Sequence, residues 1–143
     1  ASKGIALNEG DIYLDGFVPT LDDENNTTST RYWHPSSLYL TSAGMLAGST
    51  DSGYGDATAT NTGTITVNNA GFGMMALNGG VAINQGTINL TADEGVTGEA
   101  NQLVGMAALN GGTVVNDTTG VININADYGQ AFLSDSSSYI VNN

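Results

Sequence analysis

The sequence predicts an all-β chain that winds into a parallel β-helix, a β-solenoid of about five coils of roughly 23 residues with loop insertions. Three observations predict this fold class. One phrase occurs twice, short runs alternate between apolar and polar residues, and charged residues make up only 11% of the chain, with Gly, Asn, Ser and Thr in their place. These residue types form turns or compete with helical hydrogen bonds, so they favour strands and corners over helices.

The repeated phrase is GMMALNGGVAIN at 73–84, which returns as GMAALNGGTVVN at 105–116 with eight of its twelve positions identical. A period of about 20–30 residues is typical of solenoids, in which each coil must match the shape of its neighbour. The repeats lack the regular leucines of leucine-rich repeats, and Gly and Asn interrupt any long helical stripe. Short strands with Gly and Asn at their corners indicate a parallel β-helix.

Strand periodicity is visible in three further runs, which are NTGTITV (61–67), NQGTINL (84–90) and NDTTGVINI (116–124). In each run the alternation directs two aliphatic side chains to one face and, except at Val121, polar side chains to the other. Stacked coils then place equivalent residues in columns. The predicted columns are Ile65–Ile88–Ile122, Val67–Leu90–Ile124, Leu77–Leu109–Leu133, Met74–Met106, Asn61–Asn84–Asn116 and Asn78–Asn110.

An inserted loop accounts for the unequal length of the repeats. Asn61 and Asn84 are 23 residues apart, whereas Asn84 and Asn116 are 32 residues apart. The segment DEGVTGEAN at 93–101 has the polar, Gly-containing composition of a loop, and its removal makes the two repeats equal.

The chain is predicted to form one β-helical domain over residues 1–143. Residues 61–143 form regular coils, and residues 1–60 form irregular N-terminal coils with two polar excursions, at 20–37 and 47–60. In solenoids such loops frequently carry the binding specificity.

The charge balance excludes one class of partner. The chain carries fourteen acids and two bases, Lys3 and Arg31, for a formal net charge of −12. A nucleic-acid binder needs clustered Lys and Arg to displace counterions, so nucleic acid is excluded as a partner. Cysteine is absent, and no apolar run reaches the length of about 18 residues that a membrane-spanning helix needs, so we expect no membrane insertion by this segment.

The sequence offers no constellation for catalysis, cofactors or metals, and we predict none of the three. His34 is the single histidine, and no Gly-x-Ser-x-Gly motif occurs. Acidic segments at 21–26 and 50–56 lack the alternating acids and terminal Glu of a calcium loop. The candidate ligand-binding residues are three neighbours in the segment YWHPSS and one further aromatic residue: Tyr32, Trp33, His34 and Tyr54.

The runs at 61–90 and 116–133 resemble the passenger domains of bacterial autotransporters, in particular the adhesin group of the AIDA and antigen 43 types. The resemblance covers residues 61–143 well and residues 1–60 loosely, and it rests on degenerate Asn-x-Gly-Thr-Ile runs with Gly-Met phrases between them. It implies a right-handed parallel β-helix outside the Gram-negative outer membrane, displayed by a separate barrel domain. Such passengers are much longer, so we expect this chain to be a fragment of one.

The resemblance implies a non-catalytic adhesin that mediates host-cell attachment or bacterial self-association. Its expected partner is a host-cell surface protein or glycan, or another copy of the chain. Two alternatives stay open from the sequence: a polysaccharide-processing enzyme on the same fold, and a purely structural stalk. Two or three acids within about 10 Å of each other in a groove would favour the enzyme.

Overall fold

Thirteen short β-strands are present in the computed structural model, which describes residues 4–16, 42–49, 56–96 and 102–143. The strands are β1 (Gly4–Asn8), β2 (Asp11–Asp15), β3 (Ala43–Ala47), β4 (Ala57–Asn61), β5 (Thr64–Asn68), β6 (Gly71–Leu77), β7 (Val81–Asn84), β8 (Thr87–Thr91), β9 (Leu103–Leu109), β10 (Thr113–Asn116), β11 (Val121–Asn125), β12 (Gln130–Ser134) and β13 (Tyr139–Asn142).

The strands form three parallel sheets, and every third strand belongs to the same sheet. Sheet 1 has the order β1-β4-β7-β10-β13, sheet 2 the order β2-β5-β8-β11, and sheet 3 the order β3-β6-β9-β12. Each coil therefore contributes one strand to each sheet, and the described residues contain four such coils and the first strand of another. This arrangement confirms the predicted parallel β-helix. Among the described residues, no helix is long and apolar enough to cross a membrane.

The register between coils follows the predicted columns. Ile65 pairs with Ile88 and Ile88 with Ile122, while Val67, Leu90 and Ile124 pair in the same way. In sheet 3, Met74 pairs with Met106 and Leu77 with Leu109. The insertion also falls where the spacing predicted, since β8 ends at Thr91 and β9 begins at Leu103.

The predicted column Leu77–Leu109–Leu133 is wrong at its last position. Leu133 pairs with Ala107 and does not lie next to Leu109. The two-residue shift places Phe132 on Met106, and so extends the column Met45–Met74–Met106 with a large apolar side chain. The core therefore sets the register here, because an aromatic ring fills the volume that methionine occupies in the coils before it.

The N-terminal part is more regular than predicted. The excursion over 47–60 is shorter, because residues 57–60 belong to β4, and β1 and β2 pair in register with the second coil. Ala57 and Ala59 face the core in β4, while Thr58 and Thr60 face outward. Alanine gives a weak apolar signal, so the alternation in ATAT does not indicate a strand in the sequence. The excursion at 20–37 lies outside the described residues.

Glycine recurs where sheet 3 approaches sheet 2. Gly44, Gly73 and Gly105 occupy equivalent positions in three successive coils. A Cβ atom at Gly73 would lie 2.6 Å from the carbonyl oxygen of Gly105 and 2.7 Å from Cγ2 of Ile88. Any larger residue would clash with backbone, which is why the Gly-Met phrase recurs from coil to coil.

The Asn-Gly corners repeat for a backbone reason. Asn78 and Asn110 have φ angles of 49° and 51°, and Gly79 and Gly111 follow with 83° and 81°. Two successive left-handed residues are the conformation for which Asn-Gly is the favoured pair. The predicted column of Asn78 with Asn110 is thereby explained, because both coils turn at the same place.

A column of asparagine side chains runs along the inside of the β-helix, at the C-terminal ends of the strands of sheet 1. The side chain of Asn61 donates from Nδ2 to Oδ1 of Asn84 at 2.9 Å, and Asn84 donates in the same way to Asn116 at 2.9 Å. Asn8 donates to Asn61 and Asn116 donates to Asn142, which extends the column over all five strands. Each amide thus satisfies its neighbour, and at the buried Asn61, Asn84 and Asn116 it does so where water is excluded. The predicted stacking is confirmed, although these residues end strands and do not adopt left-handed turns.

Replacing Asn84 with alanine tests this column. Asn84 is fully buried, and its removal leaves Asn116 Oδ1 without its donor and a cavity between two coils. We expect a loss of about 2–4 kcal/mol in the free energy of unfolding, measured by urea denaturation. The matched control is Asn123→Ala, which removes an exposed amide bond to Asn89 and should cost no more than about 0.5 kcal/mol. Equal losses would contradict a special role for the buried column.

Candidate functional site

The four residues predicted to bind a ligand cannot be assigned to a site. Tyr32, Trp33, His34 and Tyr54 lie outside the described residues, and their role stays a prediction. A candidate site must therefore be built from the outer faces of the three sheets and from the polar clusters at their ends.

The outer face of sheet 2 is a polar array. Its strands alternate, so that Ile65, Ile88 and their column face the core while mostly threonine and asparagine side chains face solvent. Tyr13 and Val121 are the exposed apolar exceptions on this face. Stacked coils repeat these groups about every 4.8 Å along the helix axis. Within the array, Asn123 donates to Asn89 at 2.9 Å. The outward residues at its centre are Thr64, Thr66, Thr87, Asn89 and Asn123. They offer hydroxyl and amide groups, which can hydrogen-bond a polar partner but supply neither acid nor base.

The outer face of sheet 1 has a different chemistry. Its outward positions carry aliphatic, aromatic and threonine side chains, and none of them is charged. Val81, Ile83 and Val115 at its centre are half-buried between their neighbours. A face of this kind offers no charged side chain to an ionic ligand.

The outer face of sheet 3 is already covered. Phe72, Met75 and Leu77 of β6 pack with Val104 and Leu109 of β9 in a second hydrophobic cluster, and all are buried. Strands β6 and β9 are therefore buried on both sides, which accounts for the continuous apolar composition of GFGMMAL and LVGMAAL. These two central strands offer no surface to a ligand.

Two aspartates meet two asparagines at the end of sheet 2. Asn68 Nδ2 lies 3.3 Å from Oδ1 of Asp15 and 3.1 Å from Oδ1 of Asp93. Asn69 Nδ2 lies 3.1 Å from the same Asp15 oxygen and 2.9 Å from Oδ2 of Asp93. The backbone N–H of Asp93 also donates to Asn69 Oδ1. The two carboxylates therefore share two amide donors and lie well within 10 Å of each other. The cluster as a whole spans three successive coils.

The two carboxylates of this cluster are close enough for a glycosidase pair. Such a pair needs one carboxyl group that holds its proton at neutral pH and one that is ionised. Hydrogen bonds from Asn69 and Asn68 lower the pKa of Asp93, so its carboxylate stays ionised. Because the amide groups of Asn68 and Asn69 already donate to both oxygens of Asp93, the cluster links neighbouring coils by hydrogen bonds. Among the described residues, no group of three or more His, Cys, Asp or Glu residues could hold a metal ion.

A third polar cluster forms the corner before β13. Asp135 accepts hydrogen bonds from the hydroxyls of Ser138 and Ser137, at 2.6 and 2.9 Å, and from the backbone N–H of Asn110, at 2.7 Å. Partial burial opposes its ionisation, but the hydrogen bonds from Ser138, Asn110 and Ser137 outweigh that effect and lower the pKa of Asp135 to about 2. The carboxylate ties the corner of one coil to the Asn-Gly corner of the coil before it.

Acid should weaken this corner in a defined pH range. Because the pKa of Asp135 in the folded chain lies below its ordinary value, its stabilisation is complete above about pH 4 and is lost as the pH falls toward 2. We expect Asp135→Asn to lower the free energy of unfolding by about 1 kcal/mol at pH 7, after allowance for solvent screening, and by much less near pH 2. Urea denaturation across this range measures the difference.

The control for this measurement is Asp127→Asn, which removes an exposed carboxylate away from the corner. It should lower the free energy of unfolding at pH 7 by less than Asp135→Asn does. An effect of Asp135→Asn that does not change with pH would contradict the assigned role of Asp135.

These features define the class of the protein as a parallel β-helix domain with one polar, one apolar and one covered outer face. The chain belongs to the family described as the BigA third pectate lyase-like domain, whose model matches residues 1–120. No solved structure matches the chain.

A curated relative carries the same family name. It is a protein of Salmonella typhimurium (strain LT2) described as "Putative surface-exposed virulence protein BigA", and it is 82% identical over 143 residues. The alignment covers all of this chain but 7% of the relative, so the chain spans a small part of that protein's length. The matching family, the BigA third pectate lyase-like domain, is not the AIDA and antigen 43 group of autotransporters that the sequence resembles. Membership of this chain in that group stays a prediction.

Proposed function

We propose that this chain is a non-catalytic, surface-displayed binding segment of the adhesin type. The observation that carries the proposal is the Thr/Asn array on the outer face of sheet 2, which presents hydrogen-bonding groups to solvent at the spacing of the coils. The description of the relative as a surface-exposed virulence protein supports the location and the virulence-associated role.

The mode of display belongs to the same proposal. The resemblance to autotransporter passengers supports a β-helix held outside the outer membrane by a barrel elsewhere in the full protein. The absence of cysteine agrees with secretion as an unfolded chain, because no disulfide would lock a loop before passage.

The partner in this proposal is a hydroxyl-rich or amide-rich surface, such as a glycan or protein of the host cell. Each threonine or asparagine contributes a small net amount, about 0.5–1.5 kcal/mol per hydrogen bond. Binding is then spread over several coils and is weak for one chain. Many copies on one cell would raise the overall strength of attachment without any new contact.

An enzyme that acts on polysaccharide is the second candidate, and the pair of Asp15 with Asp93 is the observation in its favour. The lowered pKa of Asp93 restricts it to the ionised role in such a pair, and the two bases of the chain cannot line a groove for an acidic sugar. Release of reducing ends from an acidic polysaccharide, abolished by Asp93→Asn, would favour the enzyme over the adhesin.

Attachment of chain-coated beads to cultured epithelial cells tests the proposed function. We expect the triple substitution Thr66→Ala, Thr87→Ala and Asn89→Ala to reduce attachment by at least about tenfold, because it removes three hydrogen-bonding groups from one face. The matched control makes three alanine substitutions on sheet 1, at Thr58, Thr60 and Thr113, and should attach like the unsubstituted chain. Equal reduction by both variants, or no attachment by the unsubstituted chain, would contradict the proposal.

A further inference from the structure

An exposed aromatic side chain lies between two carboxylates on the first strand of sheet 2. Asp11, Tyr13 and Asp15 alternate along β2, so their side chains point to the outer face, and all three are exposed. Tyr13 is 67% exposed although it lies at the centre of its strand. Each aspartate is two residues from the tyrosine, which corresponds to about 7 Å along the strand. Because the ring points away from the core, the packing of the coil does not require it.

The coil register joins this group to the Thr/Asn array. Tyr13 pairs with Thr66, Thr66 with Asn89, and Asn89 with Asn123. One outward column therefore begins with an aromatic ring and continues with a hydroxyl and two amides, one group about every 4.8 Å. A flat apolar surface, two anionic acceptors and a row of hydrogen-bonding groups thus share one face.

The two carboxylates beside the ring retain the capacity to accept hydrogen bonds. Asn68 and Asn69 both donate to Oδ1 of Asp15, and no described residue donates to its Oδ2. No described residue donates to the carboxylate of Asp11. The part of the chain that the structure describes also contains no Lys, Arg or His, so no described side chain supplies a cation to either aspartate.

This chemistry selects a cationic partner that also carries hydroxyl groups. An anionic glycan would meet both carboxylates with like charge, in a chain whose net charge is −12. A neutral glycan would leave both carboxylates without a counterion. A cation above the ring of Tyr13 gains from the electron-rich face of the ring and from the carboxylate on either side. Hydroxyl groups on the same partner then match the threonine and asparagine groups of the next coils.

We propose that the group formed by Asp11, Tyr13 and Asp15 binds a polysaccharide that carries free amino groups. The apolar face of a sugar ring stacks on Tyr13, protonated amino groups pair with the carboxylates, and hydroxyls hydrogen-bond to Thr66 and Asn89. Successive sugars of an extended chain can contact successive coils, because both repeat. The inference rests on the proposed function, since it uses the same outer face of sheet 2, and it adds the chemical class of the ligand.

Isothermal titration calorimetry of the full chain with a chitosan oligosaccharide tests this ligand class, at a mildly acidic pH that protonates the amino groups of the sugar. We expect binding that weakens several-fold when salt rises from about 20 mM to about 300 mM, because salt screens the charge pairs. The fully N-acetylated oligosaccharide of the same length should bind at least about tenfold more weakly, because it carries no cation. Equal binding of the two sugars, or no binding of the chitosan oligosaccharide, would overturn the proposal.

Substitutions on β2 locate the site. Tyr13→Ala should weaken binding of the chitosan oligosaccharide by at least about tenfold, and Tyr13→Phe should restore most of it because the ring remains. Asp11→Asn should weaken binding several-fold. The matched control is Asp127→Asn, which removes an exposed carboxylate at the corner after β11 and should change binding little. The two aspartate variants have the same net charge, so equal losses would indicate attraction to the whole acidic chain and would overturn the site.

Polylysine distinguishes a sugar from a basic protein as the partner. It carries cations without a sugar ring to stack, so we expect Tyr13→Ala to weaken its binding by less than about threefold. A loss as large as the one for the chitosan oligosaccharide would overturn the choice of a sugar and assign the site to a basic protein. The bead assay measures cell attachment separately. Failure of the chitosan titration with attachment retained would therefore overturn the ligand class and leave the proposed function standing.

Discussion

Coil-to-coil register is the constraint on which the rest of this structure depends, and the buried asparagine column is its most specific element. An aliphatic column tolerates a sliding contact, because dispersion forces have no direction. The amides of Asn61, Asn84 and Asn116 do not tolerate such sliding, because each donor must meet the acceptor of the next coil or remain unsatisfied where water cannot reach it. One column of hydrogen bonds therefore fixes the height and rotation of every coil, and the apolar columns fill the space that this arrangement leaves.

Given that register, the two surfaces follow from alternation alone. An inward residue must fit its column, so Ile65, Ile88 and the glycine at 73 cannot vary freely. An outward residue faces solvent, and the fold sets few limits on its chemistry beyond β propensity. The same scaffold can thus carry threonine and asparagine on sheet 2 and aliphatic residues on sheet 1. A chain of this design separates stability, which is fixed by the interior, from recognition, which is set by the faces.

Much of the fold could be predicted from the sequence, because aliphatic and asparagine columns leave repeats that can be aligned by eye. The strand ATAT escaped prediction because alanine differs little from loop residues in hydropathy. The column predicted for Leu133 is wrong because Gly129 gives a false match to Gly105, and the packing of Phe132 on Met106 fixes the register with Ala131 at the position of that glycine. The cluster of Asp15 with Asn68 and Asp93 could not be predicted, because its members come from three coils and meet only once the register is known. The roles of Tyr32, Trp33, His34 and Tyr54 remain predictions.

Disulfide trapping measures the register most directly, since the chain contains no cysteine of its own. Thr66 and Asn89 are direct neighbours on adjacent coils, and both face outward. With cysteine at both positions, mild oxidation should form an intramolecular disulfide in nearly all molecules, because adjacent strands bring the Cα atoms within about 4.4–6.8 Å. Cysteines at Thr66 and Thr91, two residues out of register, should form it far more slowly. Equal rates for the two pairs, or faster closure of the second, would contradict the stacking of the coils.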